Sequence, residues 1–300
     1  MHYLIYKSTD LLDCMLRDDE NTACRYVVLT DRHLKSRLFN WLITQTRTKN
    51  RYIPWLFRLA PGFRQLRSIE AESTVIIFDI ADIELIEYIR LSIPKNCRIH
   101  AFYWNPLSKT FPCIEPKVAK LKAMGCSIST FDKHDAETYQ LEYKNQFIRQ
   151  FKTERLEIPR YDFYFLGVPK GREGTLQVIT QSLEAIGKKG ICIVPKSKAE
   201  MILYEANVRH VWDCRCLIEI LQEGQTGITL RALEALVYRK KLITTCQTIT
   251  DFDFYKPQNI LIWNNQSQQE LADFMNTDME PVNEKTISKY SLHTWITSFK

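Results

Sequence analysis

The sequence predicts an α/β protein with two doubly wound parallel sheets. Short continuous apolar runs alternate with stretches of helical periodicity along the chain, which is the pattern of parallel strands that are buried on both faces. The runs begin again after a charged, proline-containing stretch near residues 155–160. In the second half, turns that contain glycine follow the apolar runs, as expected where a strand leads into a helix.

Length and composition agree with this fold class. The chain has 300 residues, of which 45% are hydrophobic and nine are glycine, so we expect two globular domains. Apolar runs stay well short of the roughly 20 residues of a membrane span. The N-terminal stretch lacks the basic start and long apolar segment of a secretory signal. Nine cysteines without a CxxC pair favour reduced thiols over disulfides or a metal site, and we expect a cytoplasmic protein.

The first half contains five predicted strands, and the last three end in polar residues. These apolar segments lie at residues 2–6, 26–30, 74–79, 98–106 and 126–135. Helical periodicity appears at residues 82–92, 114–124 and 137–155. Ligands bind beyond the carboxyl ends of such strands, which makes the polar residues there candidates for a site: Asp79, Asn105, Asp132 and His134. The alternative is that these residues only start turns and cap helices.

A basic and aromatic segment interrupts the first half. Residues 32–69 contain nine Lys or Arg, no Asp or Glu, and many interleaved aromatic and aliphatic residues. This composition is typical of a segment that docks on an anionic membrane surface or a lipid-linked acceptor. A pair of amphipathic helices with a solvated basic face and a nucleic-acid surface are the alternatives, and we do not expect nucleic acid as a partner.

The second half repeats the alternation of strands and helices. Its predicted strands are residues 161–167, 190–195, 216–221, 242–245 and 259–263. Predicted helices cover 175–186, 229–237, 268–275 and 288–299, with a helix or loop around 204–206. We therefore expect a first domain over residues 1–157, which includes the segment 32–69, and a second domain over residues 158–300, which includes the terminal helix.

Two turns of the second half carry candidate binding residues. Lys170 and Arg172 lie in a glycine-containing turn after the first strand, where they could hold a diphosphate; a plain basic turn is the alternative. The second turn precedes a helix for which Thr229 is the expected N-cap. Glu234 on that helix is either a ligand-binding carboxylate or the partner of Arg231 in a surface pair at i, i+3.

The second turn and its flanking strand resemble the donor site of GT-B glycosyltransferases. The resemblance lies in Gly227-Ile228-Thr229-Leu230-Arg231-Ala232-Leu233-Glu234-Ala235-Leu236, followed by Lys240-Lys241-Leu242-Ile243-Thr244. It implies two Rossmann-like domains facing one another across a cleft. By this resemblance Glu234 binds the ribose of a nucleotide sugar, and Gly227, Thr229 and nearby backbone N–H groups meet its phosphates.

Further motifs resemble bacterial proteins of lipopolysaccharide and capsule glycosyl transfer. They are FLG-x-x-KGR at residues 165–172, GQ-x-G-x-T-x-R-x-x-E at 224–234 and Tyr-x-Leu-x-x-Trp at 290–295. The resemblance implies a glycosyltransferase that moves a sugar from a nucleotide sugar to a lipid-linked or saccharide acceptor, peripheral to the inner face of the cytoplasmic membrane. A non-catalytic nucleotide-binding or scaffold protein of a polysaccharide assembly complex is the alternative.

The expected chemistry needs a cationic group for the leaving diphosphate and, if inverting, a general base. Lys170, Arg172 and Arg231 are the cationic candidates, with no metal and no cofactor expected. Three residues of the first half are candidate bases, with Asp132 able to orient His134: Asp79, Asp132 and His134. The sequence leaves inverting and retaining transfer open.

Overall fold

The computed structural model describes residues 1–17, 23–29, 65–151 and 158–300. The chain divides into two compact units: Met1–Asn145 with Trp295–Lys300, and Gln146–Thr294. The units divide between residues 145 and 146, which is earlier than the predicted domain boundary at residue 157. Residues 152–157 lie outside the described residues. The predicted basic segment also lies outside them up to residue 64.

A six-stranded parallel sheet forms the centre of the first unit. Its strands are β1 (His2–Lys7), β2 (Cys24–Leu29), β3 (Thr74–Phe78), β4 (Arg98–Tyr103), β5 (Cys126–Thr130) and β6 (Glu142–Tyr143). They lie side by side in the order β2-β1-β3-β4-β5-β6, and each neighbouring pair is parallel. The strand order therefore reverses between β1 and β3, as in a doubly wound sheet.

Helices connect these strands, since parallel strands need crossover connections. They are α1 (Asp10–Leu16), α2 (Ile83–Ser92), α3 (Leu107–Thr110), α4 (Ile114–Ala123) and α5 (Lys133–Thr138). Their start points follow from local chemistry. In α2, the Asp82 side chain accepts hydrogen bonds from the backbone N–H groups of Glu84 and Leu85, both at 3.1 Å, and so satisfies donors that the first turn leaves without a partner.

Both faces of the first sheet are covered by apolar side chains. Val75 and Ile77 of β3 belong to a core cluster with residues of β1, α2 and α4. Phe78, which points to the opposite face because side chains alternate along a strand, packs against the Trp295 ring at 5.6 Å between centroids. Phe102 packs against the same ring at 4.9 Å. The end of the chain therefore completes the second face of this sheet.

The second unit contains a five-stranded parallel sheet. Its strands are β7 (Tyr161–Leu166), β8 (Gly190–Ile193), β9 (Cys214–Glu219), β10 (Lys241–Thr244) and β11 (Ile260–Ile262), in the order β11-β10-β9-β7-β8. Its helices are α6 (Glu173–Ala185), α7 (Tyr204–Trp212), α8 (Leu230–Val237), α9 (Gln268–Asn276), α10 (Glu284–Ser288) and α11 (Leu292–Thr297), the last of which ends in the first unit.

The predicted fold class is confirmed: both units are α/β, with parallel Rossmann-like sheets. The strand order of the second sheet reverses between β7 and β9, again as in a doubly wound sheet. Across the described parts of the chain, no helix is long and apolar enough to cross a membrane.

Two predicted helices differ from the observed ones. In the described part of the range 137–155, which ends at residue 151, the chain does not form one helix: α5 ends at Thr138, Gln140 has a φ of 52°, and β6 adds an edge strand to the sheet. The predicted terminal helix over 288–299 is shorter, since α11 covers only Leu292–Thr297 and residues 289–291 separate it from α10. There the Tyr290 carbonyl accepts a hydrogen bond from the Ile148 N–H at 2.8 Å, so it is not available as a helical acceptor.

Replacing Trp295 by Ala should destabilise the first unit. The Trp295 side chain is 3% exposed and its ring packs against three others, from Phe78, Phe102 and Phe299. Removing a buried aromatic side chain costs about 3–5 kcal/mol of unfolding free energy, measurable by urea denaturation. The control is Leu91→Ala, since Leu91 is 53% exposed. Equal losses for the two variants would contradict this account of the chain end.

Candidate functional site

Two loops meet where the strand order of the second sheet reverses. β7 and β9 are neighbours there, and the chain leaves them in opposite directions, toward β8 and toward β10. The loop after β7 covers residues 167–172, and the loop after β9 covers residues 220–229. Ligands of open parallel sheets bind at this position, so these two loops bound the candidate site of the second unit.

The loop after β7 ends in a helix N-terminus that no side chain caps. Lys170 and Gly171 have φ values of 49° and 79°, which turn the chain sharply toward α6. Arg172 occupies the N-cap position without a capping hydrogen bond from its side chain. The first N–H groups of a helix have no partner within it and lie at the positive end of its dipole. Together with the exposed Lys170, this arrangement suits an anion.

Arg172 joins the two loops of the candidate site. Its guanidinium donates to the carbonyl oxygens of Val168 at 2.6 Å and Ile220 at 2.9 Å, on the loops after β7 and β9 respectively. Gly167 leaves room for this contact, because a Cβ atom at that position would lie 2.7 Å from Arg172 Nη2. Burial lowers the pKa of Arg172, and the nearby charge of Arg231 adds to this effect. Arg172 thus places a positive charge at the crossover while it fixes both loops.

Glu219, the last residue of β9, holds the start of α8. Its side chain is buried and accepts hydrogen bonds from Thr229 N at 3.0 Å, Thr229 Oγ1 at 2.6 Å and Thr244 Oγ1 at 2.5 Å. Burial raises the pKa of the Glu219 carboxyl, and the donors of Thr229 and Thr244 oppose this rise. Through these bonds one carboxylate ties the end of β9 to β10 and to the N-terminus of α8.

Thr229 caps α8, as predicted. Its hydroxyl oxygen accepts a hydrogen bond from the Arg231 N–H at 3.0 Å and donates its own proton to Glu219. Both the hydroxyl and the backbone N–H of Thr229 are therefore used inside the protein. Gly227 lies in a half-buried bend two residues before the cap. Gly227 and Thr229 are the two residues predicted to contact phosphate. In the structure, the N–H and hydroxyl donors of Thr229 both bind Glu219.

A buried polar network fixes the face of α8 that carries Glu234. The carboxylate of Glu234 accepts from Asn207 Nδ2 at 2.8 Å and pairs with Arg231 Nη1. Asn207 Oδ1 accepts in turn from Tyr164 Oη at 3.1 Å, and the Arg231 guanidinium lies over the Tyr164 ring, 5.3 Å from its centroid. We call these four residues, Glu234, Arg231, Asn207 and Tyr164, the Glu234 network. It connects α8, α7 and β7.

The position of Glu234 corrects its predicted role. The residue is only 1% exposed, and each carboxylate oxygen has a partner within the network. It does not lie at the surface: the predicted pairing with Arg231 exists, but it is buried. A charged pair in the interior is tolerated when its hydrogen-bonding capacity is satisfied, and Asn207 supplies the additional donor. In this structure the hydrogen-bond partners of the Glu234 carboxylate are Asn207 and Arg231.

In the first unit, Asp79 lies at the carboxyl end of β3, beside the reversal of strand order. It is a non-glycine residue with a φ of 52°, a conformation that costs energy outside glycine. Its half-buried carboxylate accepts from Trp104 N at 3.1 Å and Asn105 Nδ2 at 2.9 Å. Burial raises the pKa of Asp79, and the bonds from Trp104 and Asn105 oppose the rise. The carboxylate is held in place at the edge where a ligand is expected.

Asp132 and His134 do not form the predicted base pair. Asp132 is buried and accepts a hydrogen bond from the Asp135 N–H at 3.1 Å, so it acts as the N-cap of α5. His134 is exposed, and among the described residues no hydrogen bond joins its ring to Asp132. The reason is geometric: a cap directs its side chain back to the backbone of its own helix.

Sequence reasoning missed two residues that organise the site. Glu219 stands in an otherwise apolar strand, and a lone charge in a buried run was a signal that it needed internal partners. Asn207 lies on the buried face of α7 with Val208 and Val211, and an amide among apolar residues is the same kind of signal. Within residues 1–17, 23–29, 65–151 and 158–300, no group of three or more His, Cys, Asp or Glu is placed to hold a metal ion.

Comparisons with known proteins add little to this picture. No family model and no curated protein matches the sequence. Among solved structures, the chain is similar to a crystal structure of the glycotransferase of kitacinnamycin, with a TM-score of 0.43, 8% identity, and 99% of this chain and 95% of that chain covered. At this TM-score the similarity establishes neither a shared fold nor a shared activity. The fold assignment rests on the strand orders of the two sheets.

Replacing Glu234 by Ala should destabilise the second unit strongly. The Glu234→Ala variant leaves the charge of Arg231 without its partner, and the Arg231 side chain is only 11% exposed. An uncompensated buried charge costs about 3–5 kcal/mol of unfolding free energy. The double variant Arg231→Met/Glu234→Leu should lose less than Glu234→Ala alone, because no charge remains. Urea denaturation gives both values.

The control for this cycle is an ion pair on the surface of the same unit. Glu284→Ala removes the partner of Arg239, where the two side chains are 72% and 65% exposed. Exposed pairs contribute little to stability, so this variant should unfold like the parent chain. A Glu234→Ala variant as stable as Glu284→Ala would show that the Glu234 network does not support the fold.

Proposed function

We propose that this protein is a glycosyltransferase that uses a nucleotide-sugar donor, bound at the carboxyl edge of the second sheet. One observation carries the proposal: an uncapped helix N-terminus and three basic residues converge at the reversal between β7 and β9. Arg172 and Arg231 both donate to carbonyls at the end of β7 or in the loop after it, and Lys170 lies in that loop. Glycosyl transfer from a nucleotide sugar needs this kind of electrostatic stabilisation for the leaving diphosphate.

The donor site divides its tasks between fixed and exposed groups. Arg172 is half-buried and bound to carbonyls of both loops. The side chain of Arg231 is only 11% exposed, and its charge is paired with Glu234. Both guanidinium groups are therefore held in place before an anion arrives. Lys170 is exposed and carries three rotatable donors, which suits direct contact with a phosphate. The first N–H groups of α6 complete the proposed diphosphate site.

The proposed acceptor chemistry belongs to the first unit. Asp79 is the candidate base that the geometry favours, because burial raises its pKa and two donors fix its orientation. Asp132 is committed to capping α5, and His134 has no group that orients it among the described residues. In an inverting reaction the Asp79 carboxylate would take the proton of the attacking acceptor hydroxyl.

The class of acceptor follows from the sequence resemblance alone. We propose a lipid-linked or saccharide acceptor in the synthesis of a bacterial surface polysaccharide, such as lipopolysaccharide or capsule. The basic segment 32–69 would hold such an acceptor, or the anionic membrane that contains it. A nucleotide-binding protein without catalytic activity is the competing proposal, and turnover of the donor separates the two.

A nucleoside diphosphate should stabilise the protein against heat, through Lys170 and the start of α6. A panel of UDP, GDP and CMP compounds, scored by melting temperature, should contain at least one that binds. Lys170→Gln should weaken its affinity about tenfold, since a charge-assisted hydrogen bond is lost. The control is Lys189→Gln, because the exposed Lys189 lies at the amino edge of the same sheet. A panel without any stabilising nucleotide would overturn the proposed function.

Asp79→Asn should lower the rate of sugar transfer or donor hydrolysis by about 10²–10⁴-fold, the contribution of a general base. Asn accepts a positive φ better than most residues, so nucleotide affinity should not change. In the parent protein the rate should fall as the pH drops through the raised pKa of Asp79, because the base must be deprotonated.

The control for this variant is Asp82→Asn, three residues further along. Asp82 only caps α2, and Asn is an equally good cap, so this variant should keep the full rate. An Asp79→Asn variant with the full rate and the parent pH profile would exclude Asp79 as the base. Nucleotide binding without turnover of any donor would favour the non-catalytic alternative.

A further inference from the structure

The second unit contains a cavity at the edge opposite the candidate site. Its walls include Leu236 near the end of α8, Lys240 just before β10, and Ile260 at the start of β11. These residues lie at the amino ends of the strands, whereas the loops after β7 and β9 lie at the carboxyl ends. The cavity is therefore separate from the proposed donor site, and a ligand bound in it would be independent of the proposed function.

The size and lining of the cavity suit a small apolar molecule. Its volume is about 190 Å³, and part of its rim is open to solvent. Most of its lining is apolar, contributed by α8, the connection between β10 and β11, β11 and the segment 279–287: Leu236, Phe254, Ile260, Met279, Val282 and Ile287. A substituted ring or a short alkyl chain would fill this space.

Residues 279–282 form one wall of the cavity, and hydrogen bonds to Glu280 hold this wall in place. The side chain of Asn259, only 3% exposed, pairs with the backbone of Glu280 in both directions: Nδ2 donates to the Glu280 carbonyl at 2.7 Å, and Oδ1 accepts from the Glu280 N–H at 2.8 Å. Lys256 and Glu280 form an ion pair on the same segment at 2.5 Å. The buried amide of Asn259 satisfies both backbone groups of Glu280 and so fixes the position of this wall.

The rim of the cavity carries a positive charge that a ligand can reach. Arg239 follows α8 with a φ of 54°, and its side chain is 65% exposed. It pairs with Glu284, whose side chain is 72% exposed. Exposed ion pairs contribute little to stability, so another carboxylate can replace Glu284 at little cost. A guanidinium also offers planar, two-point recognition of a carboxylate.

We propose that this cavity binds a small carboxylic acid, with its apolar body between α8 and residues 279–287 and its carboxylate on Arg239. A straight alkyl chain of about eight carbons is comparable in size to this cavity of about 190 Å³. The site is assembled within the second unit, from residues that the candidate donor site does not use.

Thermal denaturation of the full chain with octanoate, below its micelle concentration, tests the proposal. Octanoate should raise the melting temperature by about 2–4 °C in a saturable way, octanol should raise it less, and octylammonium should not raise it. Arg239→Gln should remove the advantage of octanoate over octanol. Absence of a shift with octanoate, or an equal shift with octylammonium, would overturn the proposal.

Two variants that fill the cavity locate the site. Val282→Trp and Ile287→Trp should each abolish the octanoate shift, whereas Val178→Trp, at a position 45% exposed on α6, should keep it. If the filling variants do not fold, methyl NMR of the parent protein decides: octanoate should move the resonances of Val282 and Ile287 and leave Val178 unchanged. Persistence of the shift in a folded filling variant, or unchanged Val282 and Ile287 resonances, would contradict the site.

Discussion

The second unit depends on satisfying two carboxylates that lie out of water. Glu219 and Glu234 are both buried, and a buried carboxylate is tolerated only when donors replace its hydration. Glu219 obtains them from Thr229 and Thr244, and Glu234 obtains them from Asn207 and Arg231. Because these donors lie on β10, α7 and α8, meeting the needs of two charges fixes the elements that surround the end of β9. The apolar core sets the sheet, and the carboxylates set the geometry of its carboxyl edge.

Because buried charges need internal partners, charged residues near the proposed donor site need not contact a ligand. In the second unit, Thr229 and Glu234 belong to the motif that resembles a donor site. Their side chains hold α8 in place. Basic groups and backbone N–H groups remain to meet an anion. The same logic applies in the first unit, where Asp132 caps a helix and Asp79 is the carboxylate held at the sheet edge by bonds from the neighbouring strand. The position of a polar residue at a strand end therefore indicates the region where a ligand is expected. The hydrogen-bond partners of its side chain decide whether the residue can serve there or only caps a helix.

The sequence alone predicted most strands and the cap at Thr229, because buried parallel strands are short apolar runs and caps use few residue types. It failed where the deciding contact was distant along the chain. The break before α11 depends on the Ile148 N–H bonding to Tyr290, and helical periodicity near residue 140 could not reveal that the chain would add an edge strand to β5. The burial of Glu234 also depends on another helix, since spacing alone cannot show that Asn207 lies opposite. Local patterns fix elements, whereas the roles of charged groups depend on tertiary partners.

The closing of the first sheet by Trp295–Lys300 has a consequence for synthesis of the protein. A chain leaves the ribosome from its N-terminus, and most domains can fold as soon as their own residues have emerged. Here the rings of Phe78 and Phe102 gain their contact with Trp295 only after the whole second unit has been translated. At about 5–20 residues per second this interval lasts roughly 10–30 seconds. The final packing of these rings in the first unit is thus tied to the synthesis of the second.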